Sequence, residues 1–238
     1  AAEPYEEAGD AAAAKGDTAN ATENYQKAYG LFRMARFPCM NTDGKRAAYA
    51  RSQDCILKAC QWDDIPTERI EMPFKAREGE GANVIGYLRK PVGATKSPLM
   101  IIWAGIDTFK EDRLQQTDMF TDHGMAVLCI EQPGTGDSPI LGSTDAERQW
   151  DAMFDWLGGR DDLDASRVGG WGGSFGGYWA TKIAHTHRDH FRAIVSQGGG
   201  AHLVFTPEMV DRAQQGGIPW GQSEPRANSF GLKTHEEW

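Results

Sequence analysis

Between residues 167 and 180 the chain reads "RVGGWGGSFGGYWA", and Gly172-Gly173-Ser174-Phe175-Gly176 fits G-x-S-x-G. This spacing suits a strand-to-helix turn so tight that side chains at the flanking glycines would strike neighbouring backbone, leaving the hydroxyl exposed to attack a carbonyl. With 28 glycines in the chain, five letters alone are a weak signal. Context strengthens it, because a strand ends near Trp171 and a helical pattern, "YWATKIAHTH", follows. The competing use of such a segment is a phosphate cradle. No lysine completes a Walker-type loop, however, and Gly170, Gly172 and Phe175 break G-x-G-x-x-G. Attack on a carbonyl builds a negative oxygen that needs N–H donors. The expected donors are the amide of Phe175 and one from "WAGID", assigned to Ile106, with Gly105 and Asp107 as the other amides that turn offers.

A serine is a weak nucleophile at neutral pH and requires a base, normally a histidine oriented by a carboxylate. Only His235 follows Ser174 with acids such as Glu208, Asp211 or Glu224 between, whereas His202 has only Asp189 between it and the serine. Lys110 and Glu111 read as salt-bridging or capping residues. Their place at the carboxyl edge of a buried strand leaves a pocket role open for both Lys110 and Glu111, and Asp107 is a further candidate for the pocket. Glu208 is a candidate pocket acid for carbon-carbon cleavage, in which a carbanion leaving group must be protonated. His185, His187 and His190 invite a metal reading, but the i, i+2 pair His185 and His187 points to different helix faces and the segment is polar, so a solvated helix end is the reading. Asp161, Asp162 and Asp164 resemble a calcium loop only superficially, and Asp164 reads as fixing the turn into the nucleophile strand. The reading calls for no metal and no cofactor. Phe205, Trp220, Phe230 and Trp238 would suit a hydrophobic or aromatic acyl substrate, and ordinary packing explains them equally well.

The elements that must position these groups follow from periodicity. From residue 97 near-continuous apolar runs, "SPLMIIWAG", "MAVLCIEQPG", "SRVGGWGG" and "FRAIVSQGG", alternate with helical stretches "DRLQQTDMFTDHG" and "DAERQWDAMFDWLGG". This is the pattern of an α/β fold, a mostly parallel sheet with helices on both faces, in which ligands sit at the carboxyl ends of the strands. "TERIEMPFKAREGEGANVIGYLRKP" alternates like two strands joined by a turn at Gly79 to Gly81, opening the sheet. Ahead of it, residues 4 to 36 read as a helical hairpin turning at Gly16 and Asp17, followed by a Pro/Asn/Asp/Gly break and another helix. The hairpin looks like one tetratricopeptide-type pair, but nothing recurs at that period, so a helical cap is the better reading. The expected division is a cap over 1–66, a core over 67–202 and a lid over 203–238.

The strand-turn-helix around Ser174, "DASRVGGWGGS" leading into it and "EQPGTGDS" after the preceding strand resemble the α/β-hydrolase superfamily. "WAGIDTFKED" and "FRMARFP" resemble its branch containing the fermentation-respiration switch protein, dihydroxypseudooxynicotine hydrolase and fungal heptaketide hydrolases. The resemblance implies a Ser, Asp, His triad and, in some members, cleavage of a carbon-carbon bond next to a carbonyl. This sequence has "AGID" where that branch usually carries two glycines before the aspartate. The resemblance also implies two further strands and the catalytic Asp and His after the lid. Thr234 and Glu237 form a T-x-x-E capping box with no helix after it, so the chain is expected to be a fragment whose triad partners lie beyond Trp238.

A net charge of -9 argues against nucleic acid and anionic membranes as partners, and leaves a homodimer open. Four cysteines without zinc-like pairing read as reduced thiols in a cytoplasmic protein, and no apolar run is long enough to span a bilayer. The expectation is a serine hydrolase acting through an acyl-enzyme on Ser174 on an ester or a carbon-carbon bond next to a carbonyl. The alternative is a non-catalytic binding or regulatory protein on the same fold.

Overall fold

The computed structural model describes residues 1–202, 205–215, 223–234 and 237. It divides into two compact units, Ala1–Thr67 and Glu68–Trp238. The first stacks three helices, α1 (Glu3–Ala13), α2 (Thr18–Arg36) and α3 (Asp43–Ala59). Asp17 starts α2 by accepting the Asn20 N–H at 3.2 Å, and Thr42 starts α3 by accepting the Lys45 N–H at 3.3 Å. Buried alanines at 12, 21 and 59 let the helices close around Tyr25, whose hydroxyl donates to Asp10 Oδ1 at 2.7 Å.

The second unit is built on six strands: β1 (Thr67–Pro73), β2 (Asn83–Arg89), β3 (Ser97–Trp103), β4 (Ala126–Ile130), β5 (Leu163–Gly173) and β6 (Ala193–Gln197). Their order across the sheet is β1-β2-β4-β3-β5-β6. Strand β2 runs antiparallel to β4, whereas β4, β3, β5 and β6 are mutually parallel. Leu99, Ile101 and Trp103 of β3 face a core shared with α6 (Gln149–Gly158) and α7 (Phe175–Thr186). Because side chains alternate along a strand, Ile102, Val127 and Cys129 point the other way, and all three are fully buried. Both faces are therefore covered, which is why these strands read as unbroken apolar runs. Burying each such side chain contributes roughly 1.5–3 kcal/mol.

Two local departures from the sequence pattern have physical causes. The stretch expected as one helix after β3 splits into α4 (Lys110–Arg113), a 3-10 turn and α5 (Asp118–Thr121). The Thr117 hydroxyl at the break donates to Leu114 O at 2.7 Å and accepts from Arg89 Nη1 at 3.0 Å, offering the backbone an alternative to continuous helix. Strand β5 begins at Leu163, earlier than the apolar run suggests, and its register with β3 shifts between Pro98 and Leu99. Asp164 lies at that irregularity and accepts from the Ser166 N–H at 3.0 Å and the Arg167 Nε at 2.6 Å.

Two more helices follow the sheet, α8 (Pro207–Gln215) and α9 (Ser223–Ser229). The end of α9 docks on the loop after β4, where the Gly142 N–H donates to Ser229 O at 2.7 Å. Gly134 in that loop adopts φ 80°, and a Cβ there would collide with Ser229 O. Glu237 accepts the Lys233 N–H at 2.8 Å, one residue before the Thr234 amide that a capping box would use. Trp220, His235 and Trp238 lie outside the described residues.

Candidate active site

Ser174 sits between β5 and α7 at φ 55° and ψ -125°, and no other non-glycine residue among those described has positive φ. L-residues rarely adopt this conformation, which costs of order 1–3 kcal/mol and persists only where the surroundings enforce it. The surroundings are visible in the backbone. The Ser174 N–H donates to Gln197 O of β6 at 2.8 Å, and Ser174 O accepts the Gly177 N–H at 2.8 Å. A Cβ on Gly172 would run into Gly176 O, and one on Gly176 into Ala104 O, so the two flanking glycines are required by close backbone approach. Trp103 adds a side-chain anchor: its Nε1 donates to Gly176 O at 2.8 Å from a fully buried position. Beneath it Trp150 meets Trp103 edge-on at 5.5 Å and stacks with Trp179 at 5.8 Å.

Ser174 occupies the N-cap position of α7, where a serine oxygen ordinarily accepts an N–H of the first turn, yet it makes no side-chain cap bond. Its side chain is exposed at the mouth of a cleft of about 120 Å³ lined by Ile106, Ser174, Phe175, Gly198, Gly200, Phe205 and Arg226. The structure thus brings together Ser174, Ile106 and Phe175. As the first residue of α7, Phe175 contributes an amide without an intrahelical acceptor, and the Ile106 N–H donates to no acceptor among the described residues. The turn before Ile106 abuts the serine: a Cβ on Gly105 would lie 3.1 Å from Ser174 Oγ. The helix N-terminus also favours negative charge at this point. No histidine among the described residues hydrogen-bonds Ser174.

An aromatic cluster borders the cleft. Phe175 lies 5.6 Å from Tyr178, 6.1 Å from Phe205 and 6.2 Å from Phe230. A second, wider cleft of about 450 Å³ shares Phe205 and adds Tyr178, Phe230, His202, Ser143, Thr144 and Ala201.

The remaining candidates lie elsewhere. Asp107 is half-buried and accepts the Thr108 hydroxyl at 3.2 Å, and Glu208 is exposed on α8; neither lines the cleft. Lys110 is fully buried, with its Nζ 2.6 Å from Glu111 Oε1, 2.9 Å from Asp137 Oδ1 and 3.5 Å from Glu131 Oε1. Burial alone would depress its pKa, but the three carboxylates outweigh that and hold the ammonium above its ordinary value. Burial pushes Glu131 up to about 8, opposed by the Lys110 ammonium and reinforced by the Glu111 and Asp137 carboxylates.

His187 departs from the solvated helix end read in the sequence. It is buried, with Nε2 3.0 Å from Asp151 Oδ1 and Nδ1 2.8 Å from the Thr186 hydroxyl, and stacks on Phe154. Among the described residues no group of three or more His, Cys, Asp or Glu side chains could hold a metal ion. None of their helices is long and apolar enough to cross a membrane.

Residues 8–215 match the family model described as FrsA-like, esterase FrsA-like. The chain belongs to the FrsA-like esterase family. Among its relatives, the 2,6-dihydropseudooxynicotine hydrolase of Paenarthrobacter nicotinovorans is 27% identical over 208 residues, covering 86% of this chain and 54% of that protein. Esterase FrsA of Citrobacter koseri is 24% identical over 219 residues, covering 91% of this chain and 51% of that one. The chain thus spans about half the length of the curated relatives it matches. The crystal structure of 2,6-dihydroxy-pseudo-oxynicotine hydrolase superposes with a TM-score of 0.78 at 26% identity, over 99% of this chain and 63% of that one. AbyA5 shares the fold, with a TM-score of 0.72 at 22% identity, over 98% and 64% of the two chains. The α/β-hydrolase architecture expected from the sequence is the one observed.

Three features of this candidate site escaped the sequence reading: the Trp103 anchor, the Glu131 and Asp137 partners of Lys110, and Arg226 in the serine cleft. A faint signal existed for Glu131, a charged residue placed directly after the apolar run of β4.

Proposed function

We propose that Ser174 is the nucleophile of a serine-dependent hydrolase acting on an ester, or on a carbon-carbon bond next to a carbonyl, through an acyl-enzyme. The observation that carries this is the conformation of Ser174, held at positive φ with an uncapped hydroxyl in a cleft shared with Ile106 and Phe175. In this reading Oγ adds to the substrate carbonyl as its proton passes to a histidine base. The Phe175 and Ile106 amides receive the developing oxyanion. The leaving group departs with a proton, and water then releases the acyl group. The relatives, an esterase and a hydrolase by name, support the reaction class. Phe175, Phe205 and Phe230 support a hydrophobic or aromatic group on the substrate, and residues 203–238 act as a lid that supplies two of them. Four cysteines without a disulfide fit a reducing, cytoplasmic setting.

Product analysis with a p-nitrophenyl ester and an aryl β-diketone tests the proposal. Release of acid from either substrate, lost in Ser174→Ala, is the expected result and also assigns the leaving group. A folded full-length protein that cleaves neither substrate, or cleaves them equally well after Ser174→Ala, overturns it.

A further inference from the structure

Among the described residues lining the Ser174 cleft, Arg226 is the one that carries a charge. It projects from α9, a helix fixed in place by the Gly142 to Ser229 bond, by the fully buried Ala227 and by contact of the Phe230 ring with Phe175 at 6.2 Å. Its guanidinium makes no hydrogen bond or ion pair among the described residues, in a chain with an excess of carboxylates. Every other arginine with a buried or half-buried side chain in the second unit either bonds a carboxylate, carbonyl, hydroxyl or amide oxygen or packs over an aromatic ring. Burial also lowers its pKa, and no carboxylate among the described residues compensates the desolvated cation. A guanidinium in that condition, beside a nucleophile, is a receptor for an anion, and its planar donor fork matches a carboxylate.

We infer that Arg226 binds a carboxylate on the acyl side of the substrate, so that the preferred substrates are monoesters of dicarboxylic acids rather than neutral esters. This rests on Ser174 being the nucleophile, and it assigns the substrate class of that same site. The aromatic cleft beyond Phe205 would then take the leaving group, while the charged end of the acyl chain reaches α9.

The test compares the p-nitrophenyl monoester of adipic acid with the p-nitrophenyl ester of adipic acid monoamide, which has the same length and no charge. The protein is expected to favour the charged ester by about 10- to 100-fold in kcat/KM, the range of a hydrogen bond to a charged group. Arg226→Gln should bring that ratio close to one, and Arg226→Lys should retain most of it. A ratio near one in the unaltered protein, or a ratio unmoved by Arg226→Gln, overturns the inference. Calorimetric binding of adipate to the Ser174→Ala protein gives a readout independent of turnover. Binding weakened at least tenfold by Arg226→Gln supports the inference even if no ester is cleaved. Absent binding, or binding unaffected by the substitution, overturns it.

Discussion

If the positive φ of Ser174 is enforced by the tight strand-to-helix turn between β5 and α7, an elbow in the backbone, removing the Cβ should stabilise the protein while destroying the proposed nucleophile. Ser174→Ala and Ser174→Gly both lose Oγ, and neither loses a helix cap, because the Ser174 side chain makes no cap bond. The side chain is exposed, so little apolar burial separates the two variants. The difference between them is thus dominated by the backbone. At φ 55° and ψ -125° alanine keeps the strain, whereas for glycine this point is the mirror image of an ordinary extended conformation. Taking about 2 kcal/mol for the strain and subtracting about 0.8 kcal/mol for the greater freedom of glycine in the unfolded chain leaves Ser174→Gly about 1 kcal/mol more stable. For a protein of this length that corresponds to about 2–4 °C in Tm. Urea unfolding of the two variants, followed by circular dichroism, reads the difference directly. If Ser174→Gly is equal to or less stable than Ser174→Ala, the backbone stores no strain at this position and the elbow argument fails.

Three further outcomes follow from the same geometry. Gly176→Ala places a methyl group 2.9 Å from Trp103 Cδ1 and against Ala104 O. It should displace the elbow, costing about 1–3 kcal/mol in urea unfolding and on the order of 100-fold in esterase kcat/KM. Trp103→Phe removes the indole donor to Gly176 O and leaves a void where the larger ring packed, and should destabilise by about 1–3 kcal/mol, seen as a lower urea midpoint. Glu131→Gln tests the buried Lys110 cluster by pH. Because the folded pKa of Glu131 is raised to about 8, the folded state holds a proton that the unfolded chain has lost. Its unfavourable contribution therefore grows as pH rises from about 4.5 toward 8 and levels off above that. The stability gained by Glu131→Gln should grow over the same window, by up to about 1.4 kcal/mol per pH unit. A gain independent of pH would show that Glu131 ionises normally.

How much of this was legible in the sequence depended on how local the cause was. The G-x-S-x-G turn could be read because its two glycines answer to contacts made within a few residues and to one neighbouring strand. The parallel strands could be read because burial on both faces leaves unbroken apolar runs such as "PLMIIW". The single helix expected after β3 failed because Thr117 bonds both Leu114 and Arg89, and Arg89 lies on a distant strand. Lys110 and Glu111 read as salt-bridging or capping residues with a pocket role left open, and Lys110 does form salt bridges, but its full set of partners is not legible. Its three carboxylates come from its own neighbour and from the loop after β4, a convergence that periodicity does not reveal. His187 reads as solvated from sequence because its partner Asp151 lies on α6, 36 residues earlier. Arg226 sits in a polar stretch with no pattern at all, and only the docking of α9 on the β4 loop brings it to the serine.

The central claim is that Ser174 is an activated nucleophile, and covalent labelling tests it most directly. A fluorophosphonate probe incubated with the full-length protein, followed by peptide mass mapping, should place one adduct on the peptide containing Ser174, and Ser174→Ala should abolish it. Absence of the adduct, or equal labelling of Ser174→Ala, would contradict the account and favour a non-catalytic binding role for the fold.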